Sequence, residues 1–477
     1  MPVKRKISRR NFLENTAKGT AGLVFGAGIS TYASKRGSIL KNSPNDTIGV
    51  GIIGVGIRGK QHLTALGLGH PDARRQPTEE VKKLFQKLEL RGVADVYTGA
   101  VKYGMEVAEA TGQRTKGYED YREMLENKDI DAVLIATPDH WHSIMSIDAA
   151  NAGKDIYLEK CMTRTIQEAK DLVKAVKLNK RIFQLGHQGR QDSANKKAKE
   201  YVQQNVLGKI TLVQTFTNRN SANGAWQYPI PEDASPETVD WPKFLGPAPW
   251  REFNLNRIYR WRCFWDYGTG LSGDLLTHEW DAVDFIMGIG IPHSAVASGG
   301  IYYWKDGREV PDVFQVALEY PEKDLTMTYN ATLANEYRRG KLFFGTDAAM
   351  DFAGGLNIFV DRRSQKYQEK INSGEIKLLN PMLYYQTQSR RKIEEITSAT
   401  EKWTVDTGLL YTFTDEGQMI DTTSLHFKDF FDCMRSRKPT TCNEDVGFKE
   451  AITAHMATQS YLQGRKIVWD PMKNDII

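Results

Sequence analysis

The distribution of apolar positions changes period once along this chain, and the change divides it. Thr47-Ile-Gly-Val-Gly-Ile-Ile-Gly-Val-Gly-Ile-Arg-Gly59 is apolar without alternation and passes straight into Lys60-Gln61-His62-Leu63. An unbroken apolar run of this length reads as a strand covered on both faces, followed by a tight turn and a helix start. Helical periodicity then recurs at residues 78–88, 99–111, 143–152 and 165–178, separated by apolar strands at 90–95, 132–136, 155–158 and 181–189. Strand-helix alternation of this kind predicts a doubly wound parallel sheet over residues 47–188.

Beyond Gly208 the pattern becomes alternating. Residues 209–217, 313–320 and 325–329 read as half-buried strands, with 341–344 and 349–352 as weaker candidates, so a second, open and predominantly antiparallel sheet is expected. Two stretches lack any period. Residues 218–248 are rich in Pro, Asn and Trp, and 360–420 mix polar and aromatic residues; both read as binding surfaces or surface insertions. Helices are expected around 424–435 and 445–463, the second ended by Gly464. The predicted fold class is α/β plus α+β: a domain at 47–188, a sheet domain at 189–422, and C-terminal helices at 423–477 packing back across both.

Composition adds a leader. The chain has 477 residues and a formal charge of +5, but residues 1–33 hold six Lys/Arg against one acid, Glu14. Beyond them 58 basic residues face 58 acidic ones, which gives no electrostatic reason to expect a nucleic acid or an anionic membrane as partner. Ser8-Arg9-Arg10-Asn11-Phe12-Leu13, followed by a Gly/Ala-rich apolar run to Ala33, resembles a twin-arginine export signal. It implies the twin-arginine export machinery as partner, cleavage near residue 33, a linker at 34–46 and a soluble periplasmic protein. Four cysteines, Cys161, Cys263, Cys433 and Cys442, show no CxxC spacing. A fold completed before export should not depend on disulfides, although pairing of Cys433 with Cys442 stays open.

Candidate chemistry begins at Gly54-x-Gly56-x-x-Gly59, with Ile57 and Arg58 between the last two glycines. In a dinucleotide-binding unit the first glycine allows the turn, the second admits a pyrophosphate and the third lets helix pack on strand. An ordinary βα turn is the plainer alternative; the strand before and helix after favour the dinucleotide. Asp95, closing the second strand, is placed to accept from ribose hydroxyls, which favours NAD over NADP. Thr137-Pro138-Asp139-His140-Trp141-His142 forms a polar turn at the carboxyl end of a strand, where ligands of open α/β sheets sit, so Thr137, Pro138, His140 and His142 are candidate cofactor contacts. Two histidines without a placed third ligand do not make a metal site, and none is expected.

Together with Glu159-Lys160 and with Gly273-Asp274-Leu-Leu-Thr-His278 after Trp261-Arg-Cys-Phe-Trp-Asp-Tyr-Gly-Thr-Gly270, these motifs resemble the Gfo/Idh/MocA oxidoreductases. The resemblance implies NAD, tightly bound in an exported protein, and a sugar or glycoside substrate. It implies Lys160, Asp274 and His278 as catalytic residues, with Glu159 and Lys160 beside the cofactor. Lys160 would polarise a sugar oxygen, neutral His278 would take the hydroxyl proton, and Asp274, four residues away on the same helix face, would orient His278 or bind the sugar. Gln188, Arg190, Trp261, Arg262, Trp265 and Tyr267 are candidate sugar contacts, although the Trp261–Tyr267 cluster reads equally well as core packing. The family usually has proline after Glu-Lys; this chain has Cys161. Homodimers or tetramers through the open sheet are implied. Export cuts the protein off from the cytosolic NAD pool, which favours redox-neutral turnover. Three readings follow: hydride exchange between sugars, an NAD-dependent glycosidase working through a transient 3-keto sugar, and a carbohydrate-binding protein with structural dinucleotide.

Overall fold

The computed structural model describes residues 47–477 except 74, 338, 387–401, 405–410 and 414–418. The expected leader and linker, residues 1–46, lie outside the described residues. The first sheet is parallel, with β1 (Ile48–Ile53), β2 (Leu88–Ala94), β3 (Lys116–Tyr118), β4 (Ala132–Ile135), β5 (Asp155–Leu158) and β6 (Phe183–Leu185) in the order β3-β2-β1-β4-β5-β6. All six residues of β1 are buried because helices cover both faces. The order turns back between β1 and β4, which opens a crevice at the strand ends. Register places Ile53 beside both Ala94 and Ile135, so the residues that follow, Gly54, Asp95 and Thr137, converge on one edge.

Local sequence explains most of the helices. Thr165 and Glu168 form a reciprocal capping box that starts the Ile166–Leu178 helix. Two boundaries differ from expectation. The helix at 78–88 is only Glu79–Leu84, because Leu88 is already paired with Ile48 in the sheet. The polar turn at 137–142 is mostly helix: Asp139–Asn151 begins directly after Pro138, whose extended backbone serves as the N-cap.

The second sheet has eleven strands: β7 (Ile210–Asn218), β8 (Ser294–Gly300), β9 (Val313–Tyr320), β10 (Leu325–Thr332), β11 (Leu342–Gly345), β12 (Ala348–Asp351), β13 (Leu356–Val360), β14 (Leu383–Gln386), β15 (Lys402–Thr404), β18 (Ile467–Asp470) and β19 (Asp475–Ile476). A separate ribbon pairs β16 (Tyr411–Phe413) with β17 (Met419–Asp421). The large sheet is antiparallel apart from β7 with β10 and β14 with β15. Sequence reasoning misses β8, whose Ser-Ala-Val-Ala-Ser-Gly-Gly carries little β-forming side chain; it is held by its full pairing with β9. It also reads 360–420 as irregular, whereas β14 and β15 extend the sheet there.

The Thr277–Met287 helix, entered through a π-helical turn at Ser272–Leu276, lays Trp280, Val283 and Ile286 on this sheet's core. The C-terminal helices join the halves. Phe427, Phe430 and Phe431 of Thr422–Ser436 enter the core around β1, whereas Glu444–Gln463 gives Ile452, Met456 and Tyr461 to the second-sheet core and Ala451 to the first domain. Cys433 and Cys442 are both free and buried, so they form no disulfide. Among the described residues no helix is long and apolar enough to cross a membrane.

Candidate active site

The three glycines of the turn have different neighbours. Gly54 has φ +88°, and a Cβ there would lie 2.6 Å from the Ala136 carbonyl oxygen; one on Gly59 would lie 2.0 Å from the Gly54 oxygen. These two glycines let strand and helix close up. A Cβ on Gly56 would meet nothing within 4 Å. The Ile57–Ala65 helix starts from Gly56 with no side-chain cap and no acidic residue in its first turn, so its amides are available to an anion. Asp95 ties the end of β2 to this turn, accepting from the Val55 amide at 2.7 Å through Oδ2 and from the Tyr97 amide at 2.9 Å through Oδ1. Burial pushes its carboxyl up, against the pull of those amides.

Arg58 projects from the turn to β5. Its Nε donates to Glu159 Oε1 at 2.7 Å, and His62 Nε2 lies at 2.7 Å from the same oxygen. Burial alone would raise the Glu159 carboxyl, but Arg58 and His62 outweigh it and hold it well below the carboxylate range. Gln188 Nε2 lies 3.3 Å from Glu159 Oε1 and from the Tyr157 hydroxyl, so Gln188 belongs to the same group. Arg58 Nη2 and Thr137 Oγ1 are buried without a protein partner, although buried polar groups normally have one. The open space at Gly56, the uncapped amides and these two orphaned atoms fit a dinucleotide laid across the ends of β1, β4 and β5.

Past β5 the chain presents Lys160, whose peptide to Cys161 is cis. Lys160 Nζ donates to the Asp274 carbonyl oxygen at 2.7 Å and to Asp274 Oδ1 at 2.6 Å. Arg262 Nε donates to the same carboxylate oxygen at 2.8 Å, and the indole of Trp226 donates to Oδ2 at 3.0 Å. Burial would raise the Asp274 carboxyl, but Lys160 and Arg262 prevail and hold it far below its ordinary range. Asp274 is therefore a fixed anion serving two cations. It makes no hydrogen bond to His278 among the described contacts, which corrects the expectation that it orients that ring. Burial, then the charges of Lys160 and His187, push the His278 imidazole well below its usual range, leaving a neutral ring at pH 7. Trp226, buried in the irregular 218–248 segment, is the site residue that sequence reasoning misses.

Several candidates are structural instead. His140 and His142 are buried; His140 Nε2 lies 2.8 Å from the Phe244 carbonyl, and His142 places Nδ1 2.6 Å from the Cys161 carbonyl and Nε2 2.9 Å from that of Thr137. The helix that starts at Asp139 turns both rings into the packing. Arg190 is consumed by Asp281 at 2.7 Å and by the Thr441 carbonyl at 2.8 Å, so it is not open to a sugar. Tyr267 is fully buried against Phe244 and His140, and the Trp265 indole donates to the Glu309 carbonyl at 3.0 Å; packing is the correct reading for both. Trp261 stays half-buried, with the Arg262 guanidinium 4.2 Å from its ring.

Comparison with known proteins identifies the family and the fold. The profile of the oxidoreductase family with NAD-binding Rossmann fold, GFO_IDH_MocA, matches residues 48–187, and that of the family's C-terminal alpha/beta domain matches 192–294. A levoglucosan dehydrogenase of Pseudarthrobacter phenanthrenivorans is 27% identical over 263 residues, 53% of this chain and 57% of that protein. A glycosyl hydrolase family 109 protein of Shewanella baltica is 30% identical over 182 residues, 35% of this chain and 36% of its own. The chain thus matches about half or less of the length of these curated relatives. In fold it is similar to a levoglucosan dehydrogenase solved with NADH and levoglucosan (TM-score 0.60, 19% identity, 89% of this chain and 99% of that one). It is also similar to the WlbA dehydrogenase of Bordetella pertussis solved with NADH and UDP-GlcNAcA (TM-score 0.59, 16% identity, 89% and 99%). The chain belongs to the Gfo/Idh/MocA oxidoreductases, an NAD-binding family.

Proposed function

We propose that this enzyme oxidises a hydroxyl of a sugar or glycoside and that turnover closes on the same bound cofactor. The observation that carries the reading is the Lys160 ammonium, held by Asp274 beside a neutral His278 at the end of β5. Two of the three ammonium hydrogens point at Asp274, which leaves one for a substrate oxygen. As alkoxide character develops, that hydrogen bond strengthens and lowers the barrier. His278 takes the hydroxyl proton, which a ring already neutral at pH 7 can do without first losing one. Asp274, with Arg262 and Trp226 behind it, keeps Lys160 aimed and charged. NAD supplies the hydride acceptor when bound, and the Gly54–Gly59 turn, Asp95, Arg58 and Thr137 are the residues that would hold it.

Similarity to the levoglucosan dehydrogenase supports a sugar substrate. Similarity to glycosyl hydrolase family 109 proteins favours a specific second reading. In it, C3 oxidation acidifies the C2 hydrogen, the aglycone leaves, water adds and the ketone is reduced. The leader at residues 8–33 supports export by the twin-arginine route to the periplasm, where a dissociable NAD would be lost; this supports a retained cofactor and redox-neutral turnover.

A panel of glycosides and free sugars offered to the purified protein, with and without added NAD, tests the reading. Aglycone release with solvent deuterium at C2 selects the glycosidase, and sugar oxidation without release selects hydride exchange. No turnover on any sugar, with NAD bound, would leave the carbohydrate-binding reading in its place.

A further inference from the structure

Beside His278 lies a second pair of ionisable groups that the proposed chemistry does not use. His187, two residues past β6, stands edge-on to the His278 ring with centroids 5.4 Å apart. It is 1% exposed, and neither ring nitrogen has a hydrogen-bond partner among the described residues. Its Nε2 is 3.6 Å from Oε1 of Glu450, which comes from the C-terminal Glu444–Gln463 helix, is also 1% exposed and leaves that oxygen unpartnered. The other Glu450 oxygen accepts from the Met162 amide at 3.4 Å, two residues beyond Lys160. A buried glutamate facing a buried histidine, each incompletely satisfied, is costly to keep in a core and occurs most often where protons are managed.

We propose that His187 and Glu450 are positioning residues that share one proton and set the proton affinity of His278. With the shared proton on His187 Nε2, facing Glu450 Oε1, a positive ring stands 5.4 Å from His278 and disfavours a second proton there. When His278 takes a proton from the substrate hydroxyl, the shared proton moves from His187 Nε2 to Glu450 Oε1. The pair's net charge is unchanged, and two imidazolium rings never stand in contact. Other ionisable groups face this array. Lys160, Asp274 and Glu159 face His278. His426, Asp281, Cys442 and Cys161 face the pair. Asp281 is already neutralised by Arg190 at 2.7 Å.

The role of the pair rests on His278 being the base, but its effect on that ring can be read without any substrate. The test follows the His278 ring by nitrogen-15 NMR through a pH titration of the purified protein, its signal assigned by loss in His278→Gln. His187→Phe removes the ring that carries the shared proton, and Glu450→Gln removes the carboxylate that holds that proton on the ring; each takes the positive charge from beside His278, 5.4 Å away, and should raise the His278 midpoint by about 1 pH unit. The double variant should add nothing further. Glu450→Gln keeps the acceptor for the Met162 amide, and His187→Phe provides a second, independent route. An unchanged His278 midpoint in either folded variant overturns the inference. A raised midpoint in a protein that turns over no sugar would leave the inference standing and defeat the proposed function instead.

Discussion

The glycine turn and the Lys160–Asp274 centre lie at the same edge of one sheet but are specified in opposite ways. The turn is local: Gly54, Gly56 and Gly59 fall within six consecutive residues, and each acts through the Cβ it lacks. The centre is long-range: Lys160 and Asp274 are 114 positions apart and meet only after β5 and the π-helical turn at Ser272–Leu276 are both in place. One region holds a ligand through absent atoms and exposed amides, and the other works through buried charge. Damage to the first should therefore act on cofactor binding, and damage to the second on chemistry.

The sharpest separation is Lys160→Met. It should lower kcat by about 10²–10³-fold, as loss of an oxyanion-stabilising donor does, while the protein still carries its dinucleotide. Asp274→Ala strands two cations in a buried site, so it should cost about 3–5 kcal/mol of stability as well as activity, read by denaturant unfolding. Arg190→Ala should cost a similar 3–5 kcal/mol by stranding Asp281, but leave KM for the sugar within about twofold if the folded fraction is assayed.

The glycines divide the local region itself. Gly56→Val should fold and lose cofactor affinity, because its side chain enters open space, whereas Gly59→Ala should destabilise the fold, because its Cβ meets the Gly54 carbonyl at 2.0 Å. Equal effects in a dinucleotide-binding assay and a melting curve would merge what the structure separates.

Stability should also depend on pH. Burial lowers His140 and His455 to about 3 and His426 to about 4, so each is protonated in the unfolded chain before it is in the folded one. Stability is then complete above the unfolded value of about 6.5 and is lost progressively as pH falls from there toward each folded value. A melting temperature flat from pH 6.5 to 4.5 would contradict those burials.

What could be read in the sequence follows the same division. The turn, the Thr165 capping box and the parallel strands are written in adjacent residues and emerge from period and spacing alone. Lys160, Asp274 and His278 were identifiable only through family resemblance, since no local pattern says that residues 160 and 274 meet. Arg190, His140 and His142 read as ligand contacts in the sequence because a polar residue next to a motif looks exposed, whereas packing turns their side chains onto protein partners. Trp226 was hidden in a segment without periodicity, where only the loop's composition hinted at a site.

The most direct test is to purify the exported protein without added cofactor, denature it, and quantify released dinucleotide by mass and absorbance. The account predicts about one NAD(H) per chain, held through purification by the turn and its amides. A protein that is empty, and cannot be reloaded with NAD or NADP, would contradict it.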